Sequence, residues 1–290
     1  MSKISALIKL IEDPDEQIFL QVRSEILSMG SIMISDLENA LVSASDKDSA
    51  DRINEILNEI QTENLCKNFE NWIKSEEQDL LELMILIEQI RDFNVPRQSI
   101  IEPIVKIKMD IWLELNENQT ILEQIKIIDR IFYTKYEFEA DEQEPHVLQN
   151  YFVCNLLKSK KGNDTTLGLL YLYLAQTQNI TFSGVKLLSN FLLAYTSSPE
   201  NKEITDVLFY LNPYKILQET QKCSAKFSLP NLLEFFASAG VELNVADVTP
   251  CSNVDIARRW LWFIQQAYTR KNDEGKTALL NKLLKLFVHV

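Results

Sequence analysis

Glycine and proline are scarce in this chain, with six and eight residues among 290. So few backbone punctuators argue against a fold built on many tight hairpin turns. Leu, Ile, Glu and Lys are frequent instead, and that composition favours helix. Histidine is nearly absent: His146 and His289 are the only two, and His289 sits at the chain end, where fraying is the default. The four cysteines, Cys66, Cys154, Cys223 and Cys251, are scattered, with no CxxC pair or other close metal spacing. This excludes a disulfide framework and predicts reduced thiols in a cytoplasmic protein. No apolar run approaches the ~20 residues a bilayer-spanning helix needs, and no signal peptide is apparent, so no membrane association is expected.

Positive charge is also in deficit. The formal net charge is −13, so the average field repels nucleic acid and anionic membranes. The densest basic run, 158–161, holds only three lysines and reads as a solvated approach to a helix. No cofactor is implied, and protein is the expected partner class.

What is present is helical periodicity. Ile4, Leu7, Ile8 and Ile11 share a face. Asp13-Pro14-Asp15-Glu16 restarts a helix, with Asp13 as cap, Pro14 at the first position and Glu16 completing a capping box. Ile18, Val22, Ile26 and Met29 extend that stripe to a stop at Gly30, and Leu37 and Leu41 belong to another helix. Residues 43–51 read as a polar connector. Further stripes run through Ile53, Ile56, Leu57 and Ile60, then Leu65, Phe69 and Trp72, then Leu80, Leu83, Met84, Ile87 and Ile90. Short amphipathic helices with polar turns suggest stacked pairs. The Asp13–Glu16 turn is similar to the HEAT-repeat pattern, without a second clear copy, so an irregular bundle stays open. Asn94-Val95-Pro96 marks a boundary. Helices follow over 101–115 and after the Thr120-x-x-Glu123 capping box.

The stretch 137–146 carries Glu137, Glu139, Asp141, Glu142, Glu144 and His146. It can be read as a divalent-cation site or, preferably, as a solvated loop; no metal site is expected. At 161–171 a turn at Gly162 and Asn163 opens a helix that is apolar around most of its circumference and must be buried on several sides. Asn163 or Asp164 caps it. Strands are expected over 181–188, 191–196 and 207–211, giving one buried helix on a small antiparallel sheet. Residues 215–229 read as a long polar connector. A helix over 230–239 ends at Gly240, and Ser252-x-x-Asp255 starts the last helix pair.

These blocks resemble a known family. Lys161-Gly162-Asn163, Leu167-Gly168-Leu169-Leu170-Tyr171, Gly184-Val185, the segment from Asn190 to Tyr195, the segment from Phe209 to Tyr214, and Pro250-Cys251-Ser252-Asn253 occur in the order found in the SirB-type branch of the transglutaminase-like superfamily, over about 100–290. The resemblance implies a mainly α (α+β) fold: a HEAT-like helical region (1–95), a transglutaminase-like, papain-like core with a small antiparallel sheet (96–250), and a C-terminal helical hairpin (251–290). Active relatives carry Cys, His and Asp at positions that align here with Asp164, Asn190 and Asn212. A helix N-terminus stabilises a thiolate, a His moves its proton and a carboxylate orients the His. None of the three residues here performs its counterpart's role, and Cys154 lies out of register. The resemblance therefore implies a non-enzymatic, catalytically degenerate protein that serves as a binding or protein-interaction module, with Asp164, Asn190 and Asn212 as candidate ligand-binding residues. The alternatives are a hydrolase with altered chemistry in the same cleft, for which His146 would have to meet Asp164, and a helical scaffold with an inert cleft.

Overall fold

The computed structural model describes residues 3–44, 46–185, 191–198, 203–216 and 224–288. The chain divides into two compact units, Met1–Asn71 and Trp72–Val290. The first holds α1 (Lys3–Leu10), α2 (Glu16–Met29), α3 (Ile34–Val42) and most of α4 (Lys47–Lys74). Ile11, Phe19, Val22, Ile26, Met33, Leu37, Ile53 and Ile56 form its core, so the apolar stripes read from the sequence are the buried faces. Arg52 closes the first turn, donating to the carbonyls of Ile11 (3.1 Å) and Asp13 (2.7 Å).

Two local expectations are corrected here. The cap of α2 is Asp15, which accepts from Gln17 N at 2.8 Å. Asp13 instead accepts from Asp15 N at 2.9 Å, turning the chain one step before the helix begins. The connector 43–51 is also shorter than expected, since α4 already starts at Lys47. Asp46 accepts from Ser49 N at 2.8 Å, which lets a polar sequence enter the helix early.

The second unit is mainly α with one small antiparallel sheet. Its helices are α5 (Leu80–Arg91), α6 (Gln98–Trp112), α7 (Ile121–Asp129), α8 (Val153–Ser159), α9 (Asp164–Gln176), α10 (Leu229–Ser238), α11 (Asn253–Arg270) and α12 (Glu274–Lys285). Both expected capping boxes form, Thr120 with Glu123 and Ser252 with Asp255. Two residues of β1 (Glu139–Ala140) pair in parallel with β2 (Lys161–Gly162). The main sheet comprises β3 (Phe182–Val185), β4 (Leu193–Thr196), β5 (Val207–Ile216), β6 (Ser224–Phe227) and β7 (Pro250–Cys251), in the order β6-β5-β4-β3-β7 with every pair antiparallel. Helix α9 packs on β5 and β3, and every residue from Thr165 to Ala175 is buried. This is the α+β arrangement of one central helix on a small sheet. Helices α11 and α12 pack together as a hairpin.

The sheet departs from expectation at its edges. Ser224-Ala225-Lys226-Phe227 is a strand, not part of a connector, and β5 itself runs on to Ile216. Nothing in that tetrapeptide alternates strongly enough to announce a strand. It is set by pairing with β5, with Asn212 opposite Ala225. Pro250 and Cys251 form the opposite edge against Val185 and Gly184, a place where proline's missing donor is tolerated. The expected strand 181–188 is seen as Phe182–Val185; Thr181 precedes it, and 186–188 lie outside the described residues. β4 starts at Leu193 rather than 191, because the Phe191 N–H is given to the Asp164 carboxylate.

Gly168 is where α9 needs its glycine. A Cβ there would stand 2.2 Å from Cδ1 of Phe191, a ring that is itself buried. Gly168→Ala is expected to destabilise the second unit by about 1–3 kcal/mol through overpacking. Thermal unfolding followed by tryptophan emission checks this, and an unchanged midpoint would refute the contact.

Candidate functional site

The N-terminus of α9 is built from a short, over-determined turn. α8 ends at Lys160 in the left-handed region (φ 65°), β2 carries the chain past Gly162, and Asn163 caps α9 by accepting from Thr166 N at 2.9 Å. The Thr166 hydroxyl donates to the Asn150 carbonyl at 3.0 Å, tying the turn to the preceding segment. The cap is thus Asn163, which leaves Asp164 as the first helical residue with its side chain free to do something else.

Asp164 keeps a little surface, but its carboxylate is enclosed. Oδ1 accepts from Thr165 N and Oδ2 from Phe191 N, both at 2.8 Å. The second bond joins the start of α9 to the chain entering β4. Burial raises the Asp164 carboxyl above the ordinary carboxylate range, against the opposing pull of the Arg259 guanidinium and the two N–H groups. Burial in turn lowers Arg259, with the negative fields of Asp164 and then Cys251 acting the other way. Arg259 comes from α11. Its guanidinium lies 5.4 Å from the Phe263 ring centroid and 6.0 Å from that of Phe191, and its Nη1 is 3.5 Å from the Val185 carbonyl. The Tyr151 and Tyr214 phenols are raised chiefly by burial and secondarily by the field of Asp164.

Asn212 sits in β5 and is 5 % exposed. Its Oδ1 accepts from Tyr214 N at 3.0 Å, holding the turn over Pro213. The Pro213 carbonyl accepts from the Tyr133 hydroxyl at 2.6 Å. Asp164 and Asn212 therefore lie on two elements that pack together, α9 and β5. Asn190, the third candidate, lies outside the described residues. His146 is exposed, with Nδ1 3.4 Å from the Tyr151 hydroxyl, and the groups bonded to Asp164 are backbone amides and the Thr165 hydroxyl.

The acidic loop spends its carboxylates on itself and its neighbours. Glu139 pairs with Lys161 at 3.1 Å, and Asp141 accepts from Glu144 N and Asn150 Nδ2. Among the described residues no three His, Cys, Asp or Glu side chains are grouped to hold a metal ion. The Cys154 thiol is pushed up to about 11, first by burial and then by the field of Glu88, so it is a protonated core thiol at neutral pH.

Two buried carboxylates were not singled out from the sequence. Asp129, at the end of α7, accepts from the Tyr171 hydroxyl (2.9 Å), the Ser224 hydroxyl (2.9 Å) and Ser224 N (3.2 Å), with Lys226 Nζ at 3.4 Å. Glu88 accepts from Cys154 N at 2.6 Å and from Arg91 Nη2 at 2.8 Å. Each sits at a position of an amphipathic stripe where a charge reads as a surface residue. Except for Arg91, one turn on from Glu88, their partners lie far along the chain, so no local pattern points to their burial.

Beside Asp164 a cavity of about 800 Å³ opens between β3, β7 and the α11–α12 hairpin. Phe191 and Arg259, two of the residues engaged with Asp164, form part of its wall.

The sequence model of the family described as Transglutaminase-like superfamily matches residues 98–262, more than half of the chain. A UPF0162 protein of Vibrio cholerae (serotype O1, strain ATCC 39315 / El Tor Inaba N16961) is 25% identical over 142 residues, covering 49% of this chain and 48% of the relative. The chain thus spans about half the length of that curated relative. No solved structure matches. Among the described residues no helix is long and apolar enough to cross a membrane.

Proposed function

The chain belongs to the transglutaminase-like superfamily, and from that premise we propose that it is a catalytically degenerate member of the SirB-type branch, working in the cytoplasm as a binding or protein-interaction module. The carrying observation is Asp164. At the position where active relatives place a thiol, this chain has a carboxylate held by the N–H groups of Thr165 and Phe191. A helix N-terminus that would activate a cysteine here stabilises a clamp between α9 and β4. With Asn190 and Asn212 at the other two positions, no imidazole is supplied to move a proton. The site retains polar groups suited to gripping an amide or an ammonium ion. A protein partner is favoured by the row of exposed apolar side chains on and beside α6, Val105, Met109, Trp112 and Leu113. The SirB-type branch is supported by the ordered blocks from Lys161 to Asn253. A HEAT-like character for the N-terminal helices is supported by the short amphipathic pairs and the turn at Asp13–Glu16.

The alternative reading, altered amide hydrolysis, keeps a carboxyl raised by burial but lacks the second ionisable group it needs, because His146 is exposed and lies by the Tyr151 hydroxyl instead of Asp164. One assay separates the two. The purified full chain is incubated with a glutamine-bearing protein and a fluorescent primary amine, and both amine incorporation and ammonia release are followed. The expected rates equal the buffer background and are unchanged in Asp164→Ala. A turnover that Asp164→Ala abolishes would falsify the binding reading, and ammonia release without amine incorporation would make that turnover hydrolytic.

A further inference from the structure

At the opposite end of α9 from Asp164 a second cavity, of about 570 Å³, opens between the α4–α5 turn, the last turn of α9, β3 and the start of α11. Its size falls within the range of ligand pockets, which run from about 300 to 1,000 Å³. Such pockets are mostly walled by apolar side chains, and this one is not. Amides and hydroxyls make up most of its wall, among them Gln78, Gln176, Asn179, Ser183 and Asn253. Apolar contact is confined to Ile180, Phe182 and Cys251, all of them buried. Glu76 and Glu77 complete the wall, and no Lys, Arg or His is among the described residues that line it.

Two of these amides are held by the chain at one end only. Gln176 Nε2 donates to the Phe182 carbonyl at 3.0 Å, and Asn253 Nδ2 to the Gln78 carbonyl at 3.1 Å. Each bond fixes its amide, and Gln176 Oε1 and Asn253 Oδ1 accept nothing among the described residues. Asn179 closes the end of α9 in the left-handed region, with φ 61°. Its side-chain amide and the Ser183 hydroxyl make no hydrogen bond among the described residues. Groups already fixed in place cost a ligand less ordering than mobile ones. The charges of the wall exclude one ligand class. Glu76 and Glu77 make no ion pair among the described residues and repel an anion, as does a chain of net charge −13. Both are exposed, so a cation gains little from them. The wall rewards instead a ligand whose groups donate and accept at once, and a hydroxyl does both.

We infer that this cavity binds an uncharged saccharide, its hydroxyls on Gln176, Asn179, Ser183 and Asn253 and a C–H face of its ring against Ile180 and Phe182. A sugar ring presents both surfaces that the cavity offers partners for, a rim of hydroxyls and an apolar face. The inference goes beyond the binding reading above, because it concerns the other end of α9 and holds whether or not Asp164, Asn190 and Asn212 take a ligand.

The test is ligand-observed NMR titration of the full chain with maltose, cellobiose and N,N′-diacetylchitobiose, with glucuronate as the anionic control and cyclohexanol as the hydroxyl-poor one. At least one of the disaccharides is expected to bind at a single site per chain, and neither control is. Asn179→Gly removes the amide and supplies a residue that adopts the same φ without strain. Combined with Ser183→Ala it is expected to weaken that disaccharide about tenfold, the loss of two neutral hydrogen bonds. An unchanged unfolding midpoint shows that the double variant keeps its fold. Trp262→Ala, in the wall of the apolar cavity beside Arg259, is expected to leave the affinity as it is. No binding by any of the disaccharides, equal binding of glucuronate, undiminished binding in the folded double variant, or loss of binding in Trp262→Ala would each overturn the proposal.

Discussion

Asp129→Ala is expected to lower the unfolding free energy of the second unit by about 3–5 kcal/mol, the cost typical of removing one partner from a buried charged network. The residue is 1% exposed and ties three elements together. Tyr171 comes from the middle of α9, Ser224 and Lys226 from β6, and Asp129 itself ends α7. Removing the carboxylate leaves the Tyr171 hydroxyl and the Ser224 N–H in the core without their acceptor. Each such group costs about 1–3 kcal/mol when left unsatisfied. Asp129→Asn keeps one oxygen and is expected to fall between the native chain and the alanine variant. Of the four tryptophans, Trp112, Trp260 and Trp262 lie well inside the second unit and Trp72 at its first residue, in α4, so urea unfolding of a Trp72→Phe background followed by emission reports on the second unit. A loss below about 1 kcal/mol, the ordinary range for a surface change, would mean that the network is not what holds β6 to the helices.

Asp164→Ala is expected to cost about 2–4 kcal/mol, because Thr165 N and Phe191 N lose their acceptor at a buried helix start and Arg259 loses the favourable field of that carboxylate. Its pH dependence gives the sharper test. Burial raises the folded-state carboxyl above its unfolded value, so the folded protein favours the protonated form. The stabilisation linked to that proton is fully present below the unfolded value of about 3.9 and is lost as pH rises through the folded value. Asp164→Asn keeps an acceptor and removes the titration. Compared with the native chain, the asparagine variant is therefore expected to gain ground as pH is raised above about 4, until the folded-state value is passed. Parallel stability profiles for the two proteins across that window would show that the carboxyl is not in the enclosed setting described here. Asp129 and Glu88 are raised for the same reason, burial first, and add slopes of the same sign in both proteins, so they cancel in this comparison.

The residues that announced themselves in the sequence did so through short-range physics. The apolar circumference of 167–175 required burial on every side, and α9 is buried from Thr165 to Ala175. Thr120 with Glu123, Ser252 with Asp255, and Gly30 mark helix ends by bonds made within one turn, and all three ends are where those residues place them. The mixed α and β class followed from the change of period after Gln178.

Tertiary structure decided the rest, wherever a residue's state depends on a partner distant in the chain. Ser224–Phe227 is a strand because β5 and Asp129 hold it. Asp129 and Glu88 are core residues because helices from elsewhere close over them. Asp164 was legible as an acid at the start of the central buried helix. That it clamps Phe191, and that Arg259 from α11 lies by the Phe191 ring with its charge felt at Asp164, depends on bringing residues 164, 191 and 259 together. No periodicity encodes that meeting, because hydrophobic pattern specifies which face is buried and not which neighbour it is buried against.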